Sequence, residues 1–208
     1  SVLTCVQQSV MNFGILMVQG LVNSFGKTVM AAFAAAVKID SFAYMPVQDF
    51  GNAFSTFIAQ NYGARNEERI RRGIKSAVGT AFVFCVVIST AVCILARPLM
   101  GLFIQPEETE IIAVGVGYLR IEASCYFGIG LLFLLYGFYR AVKRPGMSVV
   151  LTVISLGTRV ALAYLLSAMP SVGVTGIWVA VPIGWALADL VGVAYYWSNK
   201  TCLLHVEA

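Results

Sequence analysis

The 208-residue chain is 59% hydrophobic and only 12% charged, and its mean hydropathy is +0.83. Soluble domains have about 25% charged and 45–50% apolar residues, so this composition excludes an ordinary soluble domain and indicates a membrane protein. The net charge of +4 then concerns orientation in the bilayer and does not indicate nucleic-acid binding.

Six apolar segments are long enough to cross a membrane, which takes about 20 residues in a helix. In chain order they cover residues 2–25, 29–62, 74–96, 111–141, 147–168 and 174–197. The sequence therefore predicts an all-α polytopic membrane protein, with one six-helix transmembrane bundle over residues 1–208. The chain begins inside an apolar run without an initiator methionine, so we expect it to be part of a longer protein.

The charged residues between these segments predict the orientation. Three glutamates lie within residues 107–110, after the third segment, whereas basic residues follow the second and fourth segments. Cytoplasmic loops are enriched in Lys and Arg, so the two basic loops and both chain ends are predicted to be cytoplasmic. The basic residues are Arg65, Arg69, Arg71, Arg72 and Lys75 in one loop, and Arg140, Lys143 and Arg144 in the other.

The second segment is unusual because it carries Lys38, Asp40 and Asp49 and contains Pro46. A charge at the bilayer centre costs about 2.5–3.5 kcal/mol on insertion scales, so these side chains need partners or a polar cavity. Lys38 could instead extend to the outer headgroups. Asp49 lies too deep for that, which makes it the first candidate on this helix. Pro46 predicts a bend.

Polar residues in the other segments extend the candidate site. Gln8, Asn12 and Gln19 return to one face of the first helix, which could line a cavity or form hydrogen bonds between helices. Glu122 and Arg159 lie at similar depths in the fourth and fifth segments. They could form a structural ion pair, or Glu122 could be a proton- or cation-responsive carboxylate beside a cavity.

The last segment has Trp178, Pro182, Trp185 and Asp189 at helical spacing. This stripe is typical of packing, although aromatic side chains beside a cavity also suit lipophilic cations. The only histidine is His205. The sequence has no nucleophile–His pair, phosphate loop or metal-binding cluster, so we expect neither an enzyme nor a metal site.

Several longer stretches resemble multidrug and toxic compound extrusion (MATE) transporters. KIDSFAYMPVQDFGNAFSTFIAQNYGARNEERI is similar to the second helix of a MATE lobe, and LMGLFIQPEETEIIAVGVGYLRI to its external connector. YGFYRAVKRPGMSVVLTVISLGTRVALAYLL is similar to the turn between the fourth and fifth helices, and GVTGIWVAVPIGWALADLVG to the last helix. The order and spacing of these stretches make the resemblance to the family specific. RPLMGLF and the pattern of the last helix resemble the second lobe, so the chain resembles the C-terminal half of such a transporter.

The resemblance implies twelve helices in two lobes of six around a central cavity, with the N-terminal lobe missing from this chain. MATE transporters exchange Na+ or H+ for lipophilic, cationic drugs by alternating access. In some branches, carboxylates of the first and fourth helices of this lobe form a cation site. Here the first helix has amides only, and Glu122 is the nearest equivalent in the fourth. In other branches the coupling acid lies in the first lobe.

We therefore expect a secondary active multidrug efflux transporter in the cell membrane, with Na+ or H+ as coupling ion and no cofactor. Its expected partners are the lipid bilayer, organic cations and the N-terminal lobe. Either E122Q or D49N should abolish or uncouple efflux. Alternatives are a lipid-linked oligosaccharide flippase, a non-transporting subunit and a channel. The expected cavity residues are Gln8, Asn12, Gln19, Asp40, Asp49 and Glu122, with Lys38 and Arg159 as charge partners.

Overall fold

The computed structural model describes residues 2–204, and His205 lies outside that range. Over these residues the chain forms seven helices and no strand, which confirms the all-α prediction. They are α1 (Val2–Asn23), α2 (Lys27–Gly63), α3 (Glu67–Gly101), α4 (Thr109–Ala123), α5 (Tyr126–Ala141), α6 (Pro145–Ser167) and α7 (Val174–Leu204). Five are long and apolar enough to span a membrane, and α4 with α5 makes a sixth span if the bent pair is one unit.

The helix α3 is longer than the predicted segment 74–96 at both ends. The basic residues from Arg69 onward, predicted to lie in a loop, occupy the first turns of this helix. The reason is a good helix start: the Asn66 side chain accepts a hydrogen bond from the Arg69 backbone N–H at 3.1 Å. Glu67 and Glu68 follow in the first turn, where negative charge complements the helix dipole.

The fourth predicted span is not a single helix, because α4 and α5 meet at a bend of 52°. Two backbone carbonyls at the bend accept hydrogen bonds from serine hydroxyls. Ser124 donates to its own helix at Arg120, and Ser89 of α3 donates to the carbonyl of Ala123. A hydroxyl that bonds a helix carbonyl competes with the backbone ladder and bends the helix. The bend therefore depends partly on a neighbouring helix.

The second and last helices also extend past their predicted ends. At 37 residues, α2 is about 55 Å long at 1.5 Å per residue, and it continues as a helix through Pro46. The tight turn before it uses Gly26 at a φ of 100°, a conformation that glycine adopts without strain. The predicted polar tail after residue 197 is helical as far as Leu204.

Glycines allow the helices to approach closely in the core. A Cβ on Gly137 of α5 would lie 2.6 Å from the carbonyl oxygen of Gly51 on α2, and one on Gly184 of α7 would lie 2.5 Å from the carbonyl oxygen of Ser155 on α6. Small residues serve this purpose in membrane bundles, where van der Waals contact drives helix association. Ser55 adds a hydrogen bond of 2.8 Å to the Gly137 carbonyl. These contacts fix the walls of the cavity described next.

Candidate functional site

A cavity of about 240 Å³ lies within the bundle, with walls from α1, α2, α4, α5, α6 and α7. Its lining combines aromatic rings with carboxyl, amide, hydroxyl and guanidinium groups. A mostly apolar cleft with a few polar groups is the usual form of a small-molecule site. Its polar and charged side chains belong to Gln19, Asp40, Tyr44, Gln48, Tyr118, Glu122, Tyr136, Thr152, Ser155 and Arg159.

One face of α2 supplies a continuous stripe of this lining. Phe33, Val37, Asp40, Tyr44 and Gln48 follow one another at intervals of three and four residues, and all border the cavity. Such spacing keeps side chains on the same side of an α-helix. The charge on Asp40 is therefore directed into the bundle rather than towards lipid.

Asp40 is only 4% exposed and is held by tyrosines. The Tyr126 hydroxyl donates a hydrogen bond to its carboxylate, and the Tyr118 hydroxyl approaches the same group. Tyr126 is the first residue of α5, so the bend between α4 and α5 places this donor opposite α2. Buried polar groups need such partners, because an unsatisfied one costs about 1–3 kcal/mol.

Glu122 of α4 is the second buried acid in the cavity, with 2% exposure. Its carboxylate is within electrostatic range of both Asp40 and Arg159. The ion pairs between described residues all lie within α3, so Glu122 and Arg159 share the cavity without forming a salt bridge with each other. The Oε1 atom of Glu122 and the Nε atom of Arg159 are both buried without a hydrogen-bond partner. Unpaired charged atoms of both signs thus face one space.

A second cavity, of about 110 Å³, adjoins the first and contains Gln8. The two cavities share Met11, Gln48, Phe133 and Tyr136 in their walls, so they lie side by side along α1, α2 and α5. The smaller cavity is polar at its far end. There the Arg140 guanidinium donates to the Asn52 side chain at 3.1 Å.

Three predicted site residues line neither cavity. Asn12 is exposed and accepts a hydrogen bond of 3.4 Å from Gln8. Lys38 is exposed, with its Nζ 5.9 Å from the centre of the Phe103 ring in the α3–α4 connector. Asp49 is exposed too, although it lies only nine residues from Asp40 on the same helix.

The aromatic stripe of α7 has two different environments. Trp178 packs against Phe33 and Tyr118, with ring centres 5.5 and 4.9 Å away, which fits the packing interpretation. Trp185 borders the cavity. Asp189 is buried, and its Oδ1 atom has no hydrogen-bond partner among the described residues.

The sequence interpretation did not single out Tyr118, Tyr126 or Gln48. A spacing signal existed for all three, because Gln48 follows Asp40 by eight residues and both tyrosines lie four residues from Glu122. In a straight helix these separations keep side chains on one face. The spacing of Tyr126 does not predict its hydrogen bond to Asp40, because that contact depends on the bend in the fourth span.

Comparison with known proteins assigns this architecture to a family. The family model described as MatE matches residues 3–165. The chain belongs to the MATE family. Solved MATE structures have the same fold: a MOP superfamily transporter from Pyrococcus furiosus aligns over 99% of this chain and 46% of its own, with a TM-score of 0.90 and 19% identity. An inward-facing multidrug resistance MATE transporter aligns over 100% of this chain and 48% of its own, with a TM-score of 0.89 and 19% identity.

Curated MATE relatives are longer than this chain. The probable multidrug resistance protein YoeA of Bacillus subtilis is 25% identical over 86% of this chain and 39% of its own length. The FAD transporter of Shewanella oneidensis is 28% identical over 83% of this chain and 37% of its own. The chain thus spans less than half the length of the curated relatives that it matches.

Proposed function

We propose that this chain is one lobe of a secondary active multidrug exporter that exchanges lipophilic cations for Na+ or H+. The observation that carries the proposal is that Asp40 and Glu122, on different helices and both almost fully buried, face one cavity with aromatic walls. Intramembrane carboxylates usually mark substrate or ion pathways. Aromatic rings such as Trp185 and Tyr44 add cation–π attraction for an organic cation.

Exchange follows from competition for the same negative charge. In a dry cavity, an organic cation and a coupling ion are both attracted strongly to a carboxylate, because the low dielectric weakens screening. Binding of Na+ or H+ at Asp40 or Glu122 removes the charge that holds the drug, and the drug is released. Arg159 limits the net negative charge of the cavity, so that one cation is enough to neutralise it.

In this proposal a second lobe, in the part of a full-length transporter that this chain does not contain, closes the cavity. Rocking of the two lobes gives alternating access to a site near the membrane midplane. The basic first turns of α3 and the residues 140–144 face the cytoplasm, and so do both chain ends.

The experiment is flux of a fluorescent lipophilic cation, such as ethidium, in proteoliposomes containing the full-length protein. We expect transport that depends on an imposed Na+ or pH gradient and that is competed by other lipophilic cations. A well-folded protein that moves no cation under either gradient would contradict the proposal. Flux that persists without a gradient would indicate a channel instead.

Arg159 favours a second candidate, the transport of an anionic aromatic compound. Its Nε is buried and unpartnered beside the cavity, and one relative is an FAD transporter. A guanidinium binds phosphate groups well. The flux of a fluorescent flavin nucleotide distinguishes the candidates. If a flavin nucleotide is the substrate, Arg159→Gln should abolish its flux. An exporter of cations should show no flavin flux at all.

A further inference from the structure

A separate, entirely apolar cavity of about 320 Å³ lies on the other side of α5. Ile129 and Phe133 of α5 face the cavity that holds Asp40, whereas Leu134 and Phe138 of the same helix line the apolar cavity. Helices α2, α3 and α7 supply the remaining walls. The cavity reaches the outer surface of the bundle, where Trp197 is 66% exposed.

The cavity has the depth of one membrane leaflet. Phe127 and Phe138 mark its extent along α5, and their eleven-residue separation corresponds to about 16 Å at 1.5 Å per residue. Half of a hydrocarbon core of about 30 Å is about 15 Å. One acyl chain, aligned with α5, therefore matches both the length and the apolar character of this space.

Two cations stand at one end of the cavity, where α3 begins and α7 ends. Arg71 precedes the lining residues Ile74 and Val78 by three and seven residues, so it shares their face of α3. Its side chain is 54% exposed, and it lies 3.7 Å from Glu67. Positive charge thus lies where the headgroup of a lipid in this leaflet would be.

Lys200 provides the second cation from α7. Its Nζ lies 5.0 Å from the Trp197 ring and 6.0 Å from the Tyr196 ring, and both rings line the cavity. Arg71 of α3 also lies near Tyr196, so the two cations are close to the same aromatic side chain. Trp and Tyr are typical of the headgroup level of a bilayer.

We propose that this cavity binds an anionic phospholipid, with one acyl chain along α5 and the phosphate between Arg71 and Lys200. The apolar walls remove the chain from contact with other lipids, and the two cations select the headgroup. The site is independent of the transport cavity, from which α5 separates it, and it does not depend on the proposed function.

Native mass spectrometry of the full-length protein tests this proposal with dioleoyl phosphatidylglycerol and dioleoyl phosphatidylcholine. We expect the anionic lipid to bind more tightly. Arg71→Gln and Lys200→Gln should each weaken its binding about fivefold and leave the zwitterionic lipid unchanged, since one basic residue near a membrane surface contributes that much. Val78→Phe, which fills the cavity, should weaken the binding of both lipids.

Matched controls lie on the same helix. Arg72→Gln removes the same charge from a side chain that is 79% exposed and paired with Glu68, and Val87→Phe enlarges a residue that is 60% exposed outside the cavity. Neither should change binding. Equal binding of the two lipids by the unaltered protein would overturn the proposal. So would phosphatidylglycerol binding that withstands the Arg71 and Lys200 changes or falls equally in the controls.

Discussion

Asp40 and Asp49 show how strongly position decides the role of an intramembrane acid. They lie nine residues apart on α2, and an ideal helix turns by 100° per residue, so they point in opposite directions. Asp40 faces the cavity with 4% exposure, and Asp49 is exposed on the other side of the helix. The first carboxylate therefore borders the cavity, and the second does not.

The hydrogen bond from Tyr126 is the direct support of the buried Asp40 carboxylate. Tyr126→Phe should lower the free energy of unfolding by about 1–3 kcal/mol, because a buried acceptor loses its donor. Thermal unfolding in detergent measures the change. In an Asp40→Ala background the same substitution should cost much less. Equal costs in both backgrounds would show that the two side chains are not energetically coupled.

At the scale of elements, the contact between α6 and α7 depends on Gly184. A Cβ there would meet the Ser155 carbonyl oxygen at 2.5 Å, whereas nothing lies within 4 Å of a Cβ on Gly157 of α6. Gly184→Ala should therefore destabilise the protein by about 1–3 kcal/mol through overpacking. Gly157→Ala, the control, should be neutral or stabilising because alanine favours helix. A stable Gly184→Ala protein would contradict the close contact.

The bend between α4 and α5 is tied to α3 through Ser89. Ser89→Ala removes its hydrogen bond to the Ala123 carbonyl and should lower stability by about 1 kcal/mol, or about 2–4 °C in Tm. Thr90→Ala is the control, because Thr90 bonds only within its own helix, to the Val86 carbonyl. A larger loss for Thr90→Ala than for Ser89→Ala would show that the interhelical bond does not matter.

The sequence predicts what depends on one helix at a time. Apolar length predicts the spans, and similar depth places Glu122 and Arg159 at one level of the bundle, where both line the cavity. Contacts between helices cannot be predicted from the sequence of a single helix. The preference for Asp49 over Asp40 depended on depth alone, whereas burial depends on which face of α2 meets α4. The bend in the fourth span also involves Ser89 of another helix, which lies 34 residues before the carbonyl that it binds.

At the scale of the whole molecule, basic residues cluster at one end of the bundle. They lie just after α2, in the first turns of α3, around the end of α5 and near the end of α7. This charge asymmetry predicts that Arg144 faces the cytoplasm and Glu108 the outside. Labelling with a membrane-impermeant maleimide tests it in a variant whose five cysteines are replaced. Arg144→Cys should react only after the membrane is permeabilised, whereas Glu108→Cys should react in intact cells. The reverse pattern would invert the topology.

The helix α5 separates two cavities of the bundle, one on each side of it. The cavity with Asp40 and Glu122 is lined by two charged residues with an unpartnered buried atom, Glu122 and Arg159, and the cavity near Trp197 is wholly apolar. α5 is also the helix that begins at the bend and supplies Tyr126 to Asp40. Both α2 and α5 line the two cavities, so a movement of α5 relative to α2 would alter both at once.

The central claim, that buried carboxylates couple cation entry to drug exit, is tested most directly by comparing three variants in gradient-driven flux. Asp40→Asn and Glu122→Gln keep the side-chain shape and remove the charge. We expect each to lower ethidium transport at least tenfold. Asp49→Asn removes the same charge from the exposed side of α2 and should retain most of it. Unchanged transport by both cavity variants at normal expression, or loss with Asp49→Asn alone, would contradict the account.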